Sequence, residues 1–251
     1  MEHGHEQSVG GPIRAATFDC YGSLVDWEGG AASFLYDLAR RCGDKEPEPG
    51  AVLRERWEAL QFERLKPYRP HREVLSDSLS EWAGRHGHRW NERHGHELCD
   101  RMRSCQPFPD TIPALRRARE AGIKLVIVSN TDRAIMAHTL RQLAGVEFDE
   151  VVVAEDVKEY KPGLGPFRRA LDMIGEPPSQ VLHVAFGFKY DIAPAQHLGM
   201  ETAWVNRRAT EAPGPERPDH EWRDLWGLAE LAEGRGRQGV GPRPERARKP
   251  R

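Results

Sequence analysis

The chain has 251 residues, enough for one sizeable core with an insert or for two modest domains. Its 37 lysines and arginines nearly balance its 39 aspartates and glutamates, so a basic binder of nucleic acid or of anionic membranes is not expected. No apolar run approaches the roughly 20 residues of a membrane helix, and the polar N-terminus lacks the apolar stretch of a signal peptide. We therefore expect a cytoplasmic protein.

Apolar runs that alternate with helix-period stretches predict an α/β fold. In chain order, the expected elements are a strand at 13–18, helices at 31–41, 51–64, 74–85, 91–103 and 112–121, a strand at 123–128, a helix at 134–143, a strand at 151–153, a helix at 165–174, a strand at 181–186, a helix at 192–198 and a strand at 202–205. Strands and helices in this order indicate a parallel sheet with helices on both faces.

The domain organisation follows from the position of the long helical interval. Residues 12–26 and 111–231 are expected to form the core domain, and residues 27–110 a helical cap subdomain over the strand ends. Such a cap would exclude water from a site beneath it. The termini, residues 1–11 and 232–251, offer little apolar surface to bury and are expected to be disordered tails.

Metal and thiol chemistry are each suggested by one local feature. The tetrapeptide Arg-His-Gly-His occurs at residues 85–88 and again at 93–96, with Cys99 just beyond, a set that could bind zinc or nickel. The glycines between the histidines predict loops, however, and no carboxylate is placed to orient the rings. Cys20 has no cationic neighbour to activate its thiol, and we interpret it as a small buried residue. We expect neither a metal nor another cofactor.

Polar residues follow the predicted strands at the points where the strands end. Asp19 follows the first strand, Ser129 and Asn130 end the second, Lys161 precedes a helix and Asp191 follows the fourth strand. The carboxyl ends of parallel strands meet at one edge of a sheet, so these side chains should lie together. A carboxylate there can act as a nucleophile and split a displacement into formation and hydrolysis of an ester. Taken singly, Lys161 could equally be a surface charge, and the others could cap a turn or a helix.

In this order, the four motifs resemble those of the haloacid-dehalogenase superfamily over about residues 13 to 207. The first motif covers residues 19–24, the second Ser129 and Asn130, the third Lys161 and Pro162, and the fourth ends at Asp191. The resemblance implies a Rossmann-like core, a helical cap inserted after the first motif, and a hydrolase whose nucleophile is the first aspartate.

Two positions indicate the branch. Magnesium-dependent phosphatases of this superfamily carry a second aspartate two residues after the nucleophile, where this chain has Tyr21. They also carry a metal-binding aspartate five residues before the last one, where this chain has Phe186, whose ring offers no oxygen ligand. Both residues fit the L-2-haloacid dehalogenase branch, whose first motif is Asp-x-Tyr-Gly-Thr, with Ser23 in place of the threonine.

The branch implies a metal-independent mechanism. Asp19 would attack an sp3 carbon and expel halide with inversion, and water would then hydrolyse the aspartyl ester. Lys161 and Asp191 would support the nucleophile and the water. Tyr21, Ser23, Ser129 and Asn130 would contact the substrate or the departing anion.

The chain departs from that branch around the substrate. The cap arginine that holds the substrate carboxylate aligns with Glu58, so Arg54, Arg56 or Arg64 is expected to replace it. The tyrosine six residues after the third-motif lysine is Phe167, and the fourth motif carries Gly187 and Phe188 in place of polar residues. We expect a small, acidic substrate, with a C–halogen, C–O or strained C–N bond as the one cleaved.

Two other functions stay open from the sequence. One is a phosphatase of the same fold with a degraded magnesium site, and the other is a catalytically weak binding protein of that fold. The expected partner is a small-molecule substrate, and the chain could form a homodimer.

Overall fold

The computed structural model describes residues 12–238, and the statements below concern that part of the chain. A sheet of six strands forms its centre, in the spatial order β3-β2-β1-β4-β5-β6, and every neighbouring pair is parallel. The strands are β1 Ala15–Phe18, β2 Lys124–Ser129, β3 Glu150–Val153, β4 Val181–Ala185, β5 Glu201–Val205 and β6 His220–Trp222. The predicted α/β fold with a parallel sheet is confirmed.

Helices precede or follow the strands in the predicted alternation. Between β1 and β2 lie α1 Trp27–Arg41, α2 Gly50–Phe62, α3 His71–Arg85, α4 Glu92–Arg103 and α5 Thr111–Glu120. After β2 come α6 Arg133–Gln142, α7 Ala154–Val157, α8 Gly165–Ile174, α9 Ala193–His197 and α10 Trp226–Gln238. A short 3-10 helix, Pro178–Gln180, precedes β4, and a single π-helical turn, Phe188–Ile192, leads into α9.

Both faces of the sheet are covered, because alternate strand residues point to opposite sides. Phe18 and Ile127 belong to a large apolar cluster with α5, α10 and the helices between β1 and α5. Val126 and Val128 belong to a second cluster with Phe167 and other residues of α8. Near-continuous apolar strands of this kind are typical of a parallel sheet between two helical layers.

The helical insert, residues 27–110, packs mainly on itself through contacts of α1 with α2 and α4, and of α3 with α2 and α4. Trp57 lies fully buried inside it and donates from Nε1 to Ser78 Oγ at 3.0 Å. Gly95 lies inside α4, where a Cβ would come within 2.5 Å of Ser76 Oγ of α3. The helix predicted over 91–103 is present, and the loop predicted from the glycine at 95 is wrong, because this glycine allows two helices to approach closely.

Two further differences from the sequence-based expectations lie near the C-terminus. Strand β6 was not predicted, because three residues are too few to show an alternation. Residues 232–238 were expected to be disordered but continue α10, whose Leu228, Ala229 and Ala232 are buried. The expected tails at 1–11 and 239–251 lie outside the described residues.

Within the described range, no helix is long and apolar enough to cross a membrane. The same part of the chain contains no group of three or more His, Cys, Asp or Glu side chains placed to hold a metal ion.

Candidate active site

A cavity of about 120 Å³ lies between the carboxyl ends of the central strands and the helical insert. The sheet side supplies Asp19, Tyr21, Ser129, Asn130, Lys161, Phe186, Gly187, Tyr190 and Asp191. The insert supplies Trp27, Glu28, Glu58, Gln61, Phe62, Leu65, His71 and Met102. The structure thus brings together the strand-end residues that the sequence singles out, under a roof of insert side chains.

Asp19 is held through both of its carboxylate oxygens. Ser23 Oγ donates to Asp19 Oδ2 at 2.7 Å and accepts from the backbone N–H of Phe186 at 2.8 Å. The turn that brings Ser23 back to the carboxylate passes through Gly22, whose φ of +94° favours glycine. Asp19 is 7% exposed and lines the cavity, so its carboxylate is fixed in orientation yet open to a ligand.

Lys161 joins the two carboxylates of the site. Its Nζ donates to Asp19 Oδ1 at 3.0 Å, to Asp191 Oδ1 at 2.6 Å and to the carbonyl of Val128 at 2.9 Å. An ammonium has three N–H donors, so all of them are used. Burial favours the neutral amine, but the two carboxylates outweigh it and raise the pKa of Lys161 above its ordinary value. The lysine therefore stays charged.

A buried chain of hydrogen bonds continues behind Asp191. His183 Nε2 donates to Asp191 Oδ1 at 3.1 Å, and His183 Nδ1 accepts from Thr17 Oγ1 at 2.8 Å. His183 is not among the residues predicted from the sequence, although it is an ionisable residue inside an otherwise apolar strand. Its ring fixes the orientation of Asp191 relative to Lys161.

The two carboxylates differ in acidity. Burial raises the pKa of Asp19, and the charge of Asp191 adds to that effect, which Lys161 and Ser23 only partly offset. Burial acts on Asp191 as well, but Lys161 and His183 outweigh it and lower the pKa of Asp191 below its ordinary value. Asp191 is therefore the more stable anion, and Asp19 is the more basic of the two.

Asn130 and Ser129 have different surroundings. The Asn130 amide pairs with the backbone of Lys161, donating from Nδ2 to its carbonyl at 3.1 Å and accepting its N–H at Oδ1 at 2.7 Å. This side chain positions the lysine, while one N–H of its amide is left for a ligand. Ser129 Oγ is buried and has no hydrogen-bond partner among residues 12–238.

Aromatic rings form much of the cavity wall. Tyr21 packs edge-on against Trp27, with 6.4 Å between ring centroids, and its hydroxyl bonds with Thr139 Oγ1 at 2.7 Å. Burial raises the pKa of Tyr21 well above its ordinary value, so the phenol stays protonated. Phe62 of the insert stacks on Tyr190 of the core at 4.9 Å and closes the cavity between the two parts.

Cys20 faces the core instead of this cavity. It is fully buried, and burial raises the pKa of its thiol well above the ordinary value. This environment suits an unreactive apolar residue.

The arginines expected to hold the substrate do not line the cavity. Arg54 is buried behind it and forms ion pairs with Glu58 and, at 3.1 Å, with Glu28. Arg56 pairs with Glu48 on the exposed side of α2, and Arg64 pairs with Glu81 and donates to the Leu60 carbonyl at 2.7 Å. The rotation of α2 points Glu58 inward, so a carboxylate lies where a guanidinium was expected.

His71 is placed by a core residue that the sequence analysis missed. Asp132, just after β2, accepts the backbone N–H groups of His71 at 2.7 Å and Arg72 at 2.9 Å, which lie at the start of α3. A carboxylate at a helix N-terminus satisfies N–H groups that lack partners inside the helix. Burial lowers the pKa of His71 to about 4, so the ring that enters the cavity is neutral.

The fold and the site geometry together define a hydrolase of one family. A family model of haloacid dehalogenase-like hydrolases matches residues 13–199, and the chain belongs to this family. It is 27% identical over 220 residues to (S)-2-haloacid dehalogenase 2 of Pseudomonas sp. (strain CBS-3), covering 83% of this chain and 90% of that one. It is also 27% identical over 235 residues to the (S)-2-haloacid dehalogenase of Pseudomonas sp. (strain YL), covering 88% and 95%.

A solved structure shares the fold. The crystal structure of an L-2-haloacid dehalogenase superposes with a TM-score of 0.79 at 24% identity, covering 89% of this chain and all of that one. The resemblance to this superfamily, and to its L-2-haloacid dehalogenase branch, is confirmed.

Proposed function

We propose that this hydrolase forms a covalent ester on Asp19 and cleaves a bond between an sp3 carbon and a leaving group, by preference a C–halogen bond, without a metal ion. The observation that carries the proposal is the setting of Asp19. Its carboxylate is open to a small, partly aromatic cavity and is held at one oxygen by Ser23 and at the other by the buried ammonium of Lys161.

In the first step, an oxygen of Asp19 forms a bond to the substrate carbon while the C–X bond breaks. The leaving group departs with the bonding electron pair, as halide, and the carbon inverts. Burial favours this attack in two ways. It raises the pKa of Asp19, which makes the carboxylate more basic, and it removes the water that would otherwise shield the nucleophile. A halide leaves without a proton, so no general acid is needed.

In the second step, water attacks Cγ of the Asp19 ester and passes one proton to Asp191. The bond between Cγ and the alcohol oxygen then breaks, the departing oxygen takes up the proton held by Asp191, and the second proton of the water is lost to solvent as Asp19 returns to the carboxylate. The tetrahedral intermediate places negative charge on an oxygen that Lys161 Nζ or Ser23 Oγ already contacts in the resting site. Donors held in place before the reaction stabilise such charge most effectively. The products are the alcohol, halide and a proton, and Asp19 is restored as a carboxylate.

We propose metal independence from the residues at positions 186 and 21. A phosphatase of this family needs a metal-binding oxygen ligand at the first position and an acid at the second. Phe186 puts a phenyl ring into the cavity wall, and the phenol of Tyr21 is directed at Thr139. The attack on a neutral carbon also needs no dication to offset repulsion between anions. We propose that the helical insert serves as the cap, because it supplies the wall opposite Asp19. The cytoplasmic location and the homodimer stay predictions.

The test is halide release from 2-chloropropionate, 2-chloropropionamide and 2-chloropropionamidine by the wild type, Asp19→Asn and the control Asp37→Asn, which changes an exposed carboxylate of α1. We expect release by the wild type and the control, undiminished in excess EDTA, and none by Asp19→Asn. Magnesium-dependent hydrolysis of p-nitrophenyl phosphate without halide release would instead establish a phosphatase. Activity in Asp19→Asn would eliminate the covalent mechanism.

A further inference from the structure

The charges that line the cavity are unfavourable for an anionic substrate. Four carboxylates face it, those of Asp19, Glu28, Glu58 and Asp191. Lys161 is the only Lys or Arg among the lining residues, and its three N–H donors are all used. A substrate carboxylate would therefore meet acceptor oxygens with no unused cation in the described lining to balance it.

Two arginines next to the cavity pair with its carboxylates from the side of an adjoining pocket. Arg54 bonds to Glu58 Oε2 and Glu28 Oε1, and Arg208 bonds to Glu28 Oε1. Neither arginine lines this cavity, although both line an adjoining pocket that shares Glu28 and Glu58 with it. Glu58 Oε1 takes part in none of the hydrogen bonds between described residues, so it is an acceptor available to a ligand. Burial raises the pKa of Glu58 by more than the charge of Arg54 lowers it. The ionised form of Glu58 is therefore destabilised in this site, and a hydrogen-bond donor at Oε1 would stabilise it.

Two other polar groups of the lining are unsatisfied and buried. His71 is 3% exposed and Ser129 is 1% exposed, and neither His71 Nδ1 nor Ser129 Oγ has a hydrogen-bond partner in the described structure. Gln61 Nε2 donates to His71 Nε2 at 2.8 Å, which leaves the ring proton on Nδ1. Buried polar groups without partners are costly, and the oxygen of a carboxamide, which an amidinium lacks, would give His71 Nδ1 an acceptor.

We infer that the group attached to the reacting carbon is a planar nitrogen-bearing group that donates hydrogen bonds, a carboxamide or an amidinium, in place of a carboxylate. Its N–H groups bind Glu58, an amide oxygen accepts from His71 Nδ1, and the aromatic wall formed by Tyr21, Trp27 and Tyr190 covers its faces. Such rings favour flat cationic or amide groups. This inference rests on the proposed function, because it describes the substrate of the same attack by Asp19.

The reaction is otherwise unchanged. The bond from Asp19 to carbon forms as the C–X bond breaks, halide leaves with the electron pair, and hydrolysis gives the 2-hydroxy amide or amidine. An acidic substrate, expected from the sequence, is replaced by a neutral or cationic one.

Binding of unreactive compounds tests the inference without any turnover. Propionate, propionamide and propionamidinium have nearly the same shape and differ in charge and in N–H donors. Titration calorimetry of the wild type should show propionamidinium bound at least about tenfold more tightly than propionate, with propionamide between them, as expected for hydrogen bonds to a charged group. Equal binding, or tighter binding of propionate, would overturn the inference.

Substitution of Glu58 tests whether this residue causes the preference for propionamidinium over propionate. Glu58→Gln keeps the shape, and we expect it to lose most of the preference for propionamidinium and to bind propionate more tightly, because Arg54 is released. Glu63→Gln, an exposed change just after α2, should behave like the wild type. Glu28→Gln should reduce the preference for propionamidinium by a smaller amount. This variant replaces Glu58→Gln in the test if Glu58→Gln does not fold. A preference unchanged in both Glu58→Gln and Glu28→Gln would contradict the inference.

Turnover distinguishes this inference from the proposed function. Halide release with 2-chloropropionate as the best of the three chlorinated substrates would refute the inference and support the proposed function. Failure to release halide from any of them, with a binding preference that depends on Glu58, would refute the proposed function and leave supported only the preference of the cavity for a nitrogen-bearing group.

Discussion

Replacing Lys161 by methionine tests how two buried carboxylates remain ionised side by side. The change removes hydrogen bonds to Asp19 at 3.0 Å, to Asp191 at 2.6 Å and to the Val128 carbonyl at 2.9 Å. Methionine is similar in length to lysine, so the change deletes the charge without opening a large cavity. Lys161 is only 1% exposed, and solvent can do little to replace it.

Breaking a buried ion pair by removing one partner costs about 3–5 kcal/mol, and the lost hydrogen bond to the Val128 carbonyl adds about 1 kcal/mol. We therefore expect the free energy of unfolding to fall by roughly 4–6 kcal/mol near neutral pH. Without the ammonium, the folded-state pKa of Asp19, already raised, rises further. A carboxyl with a raised folded pKa contributes stability at low pH that is lost as pH rises through that pKa. The deficit should therefore shrink on acidification from neutral pH to about pH 5.

Urea denaturation of the wild type, Lys161→Met and Lys189→Met at these two pH values measures the effect. Lys189 is exposed and lies two residues before Asp191, and its replacement should change stability by less than about 0.5 kcal/mol. A Lys161→Met deficit no larger than that of Lys189→Met, or one that grows on acidification, would refute the reasoning.

Three further predictions concern pH, the insert and the arginines. Asp19 must be ionised to attack, and its pKa is raised above the ordinary value of 3.8. Turnover should therefore increase with pH, and the midpoint of that increase should lie above pH 3.8. A midpoint at or below pH 3.8 would contradict the raised pKa. Asp132→Ala should lower the free energy of unfolding by about 1–3 kcal/mol, because two N–H groups at the start of α3 lose their acceptor; an unchanged denaturation midpoint would count against this contact. Arg56→Ala should leave KM unchanged. An increase in KM would instead support the expectation from the sequence that Arg56 holds the substrate.

The sheet and the strand-end site could be predicted because both follow from short-range patterns. Apolar runs locate the strands, and the rule that parallel strands end at one edge brings Asp19, Lys161 and Asp191 to one place before any coordinates are known. The contacts of Lys161 with both carboxylates agree with that expectation.

The features that were missed depend on long-range packing. The contact of Asp132 with His71 joins residues 61 positions apart, and no local pattern encodes it. His183 lies eight residues before Asp191, and the two meet because the single π-helical turn after β4 brings the chain back towards that strand. The direction of Glu58 and Arg56 is set by the rotation of α2 against the rest of the insert, because a shift of one residue turns a helical side chain by about 100°.

The formation of an ester on Asp19 is tested most directly by a single turnover in H2 18O. Enzyme in excess is mixed with the best of the three 2-chloro substrates, and mass spectrometry follows the alcohol and the peptide that contains Asp19. The covalent mechanism predicts an unlabelled product, because its oxygen comes from Asp19, and a peptide that has exchanged one 16O for 18O. A product that carries 18O after one turnover, with the peptide unlabelled, would show direct attack by water and contradict the mechanism.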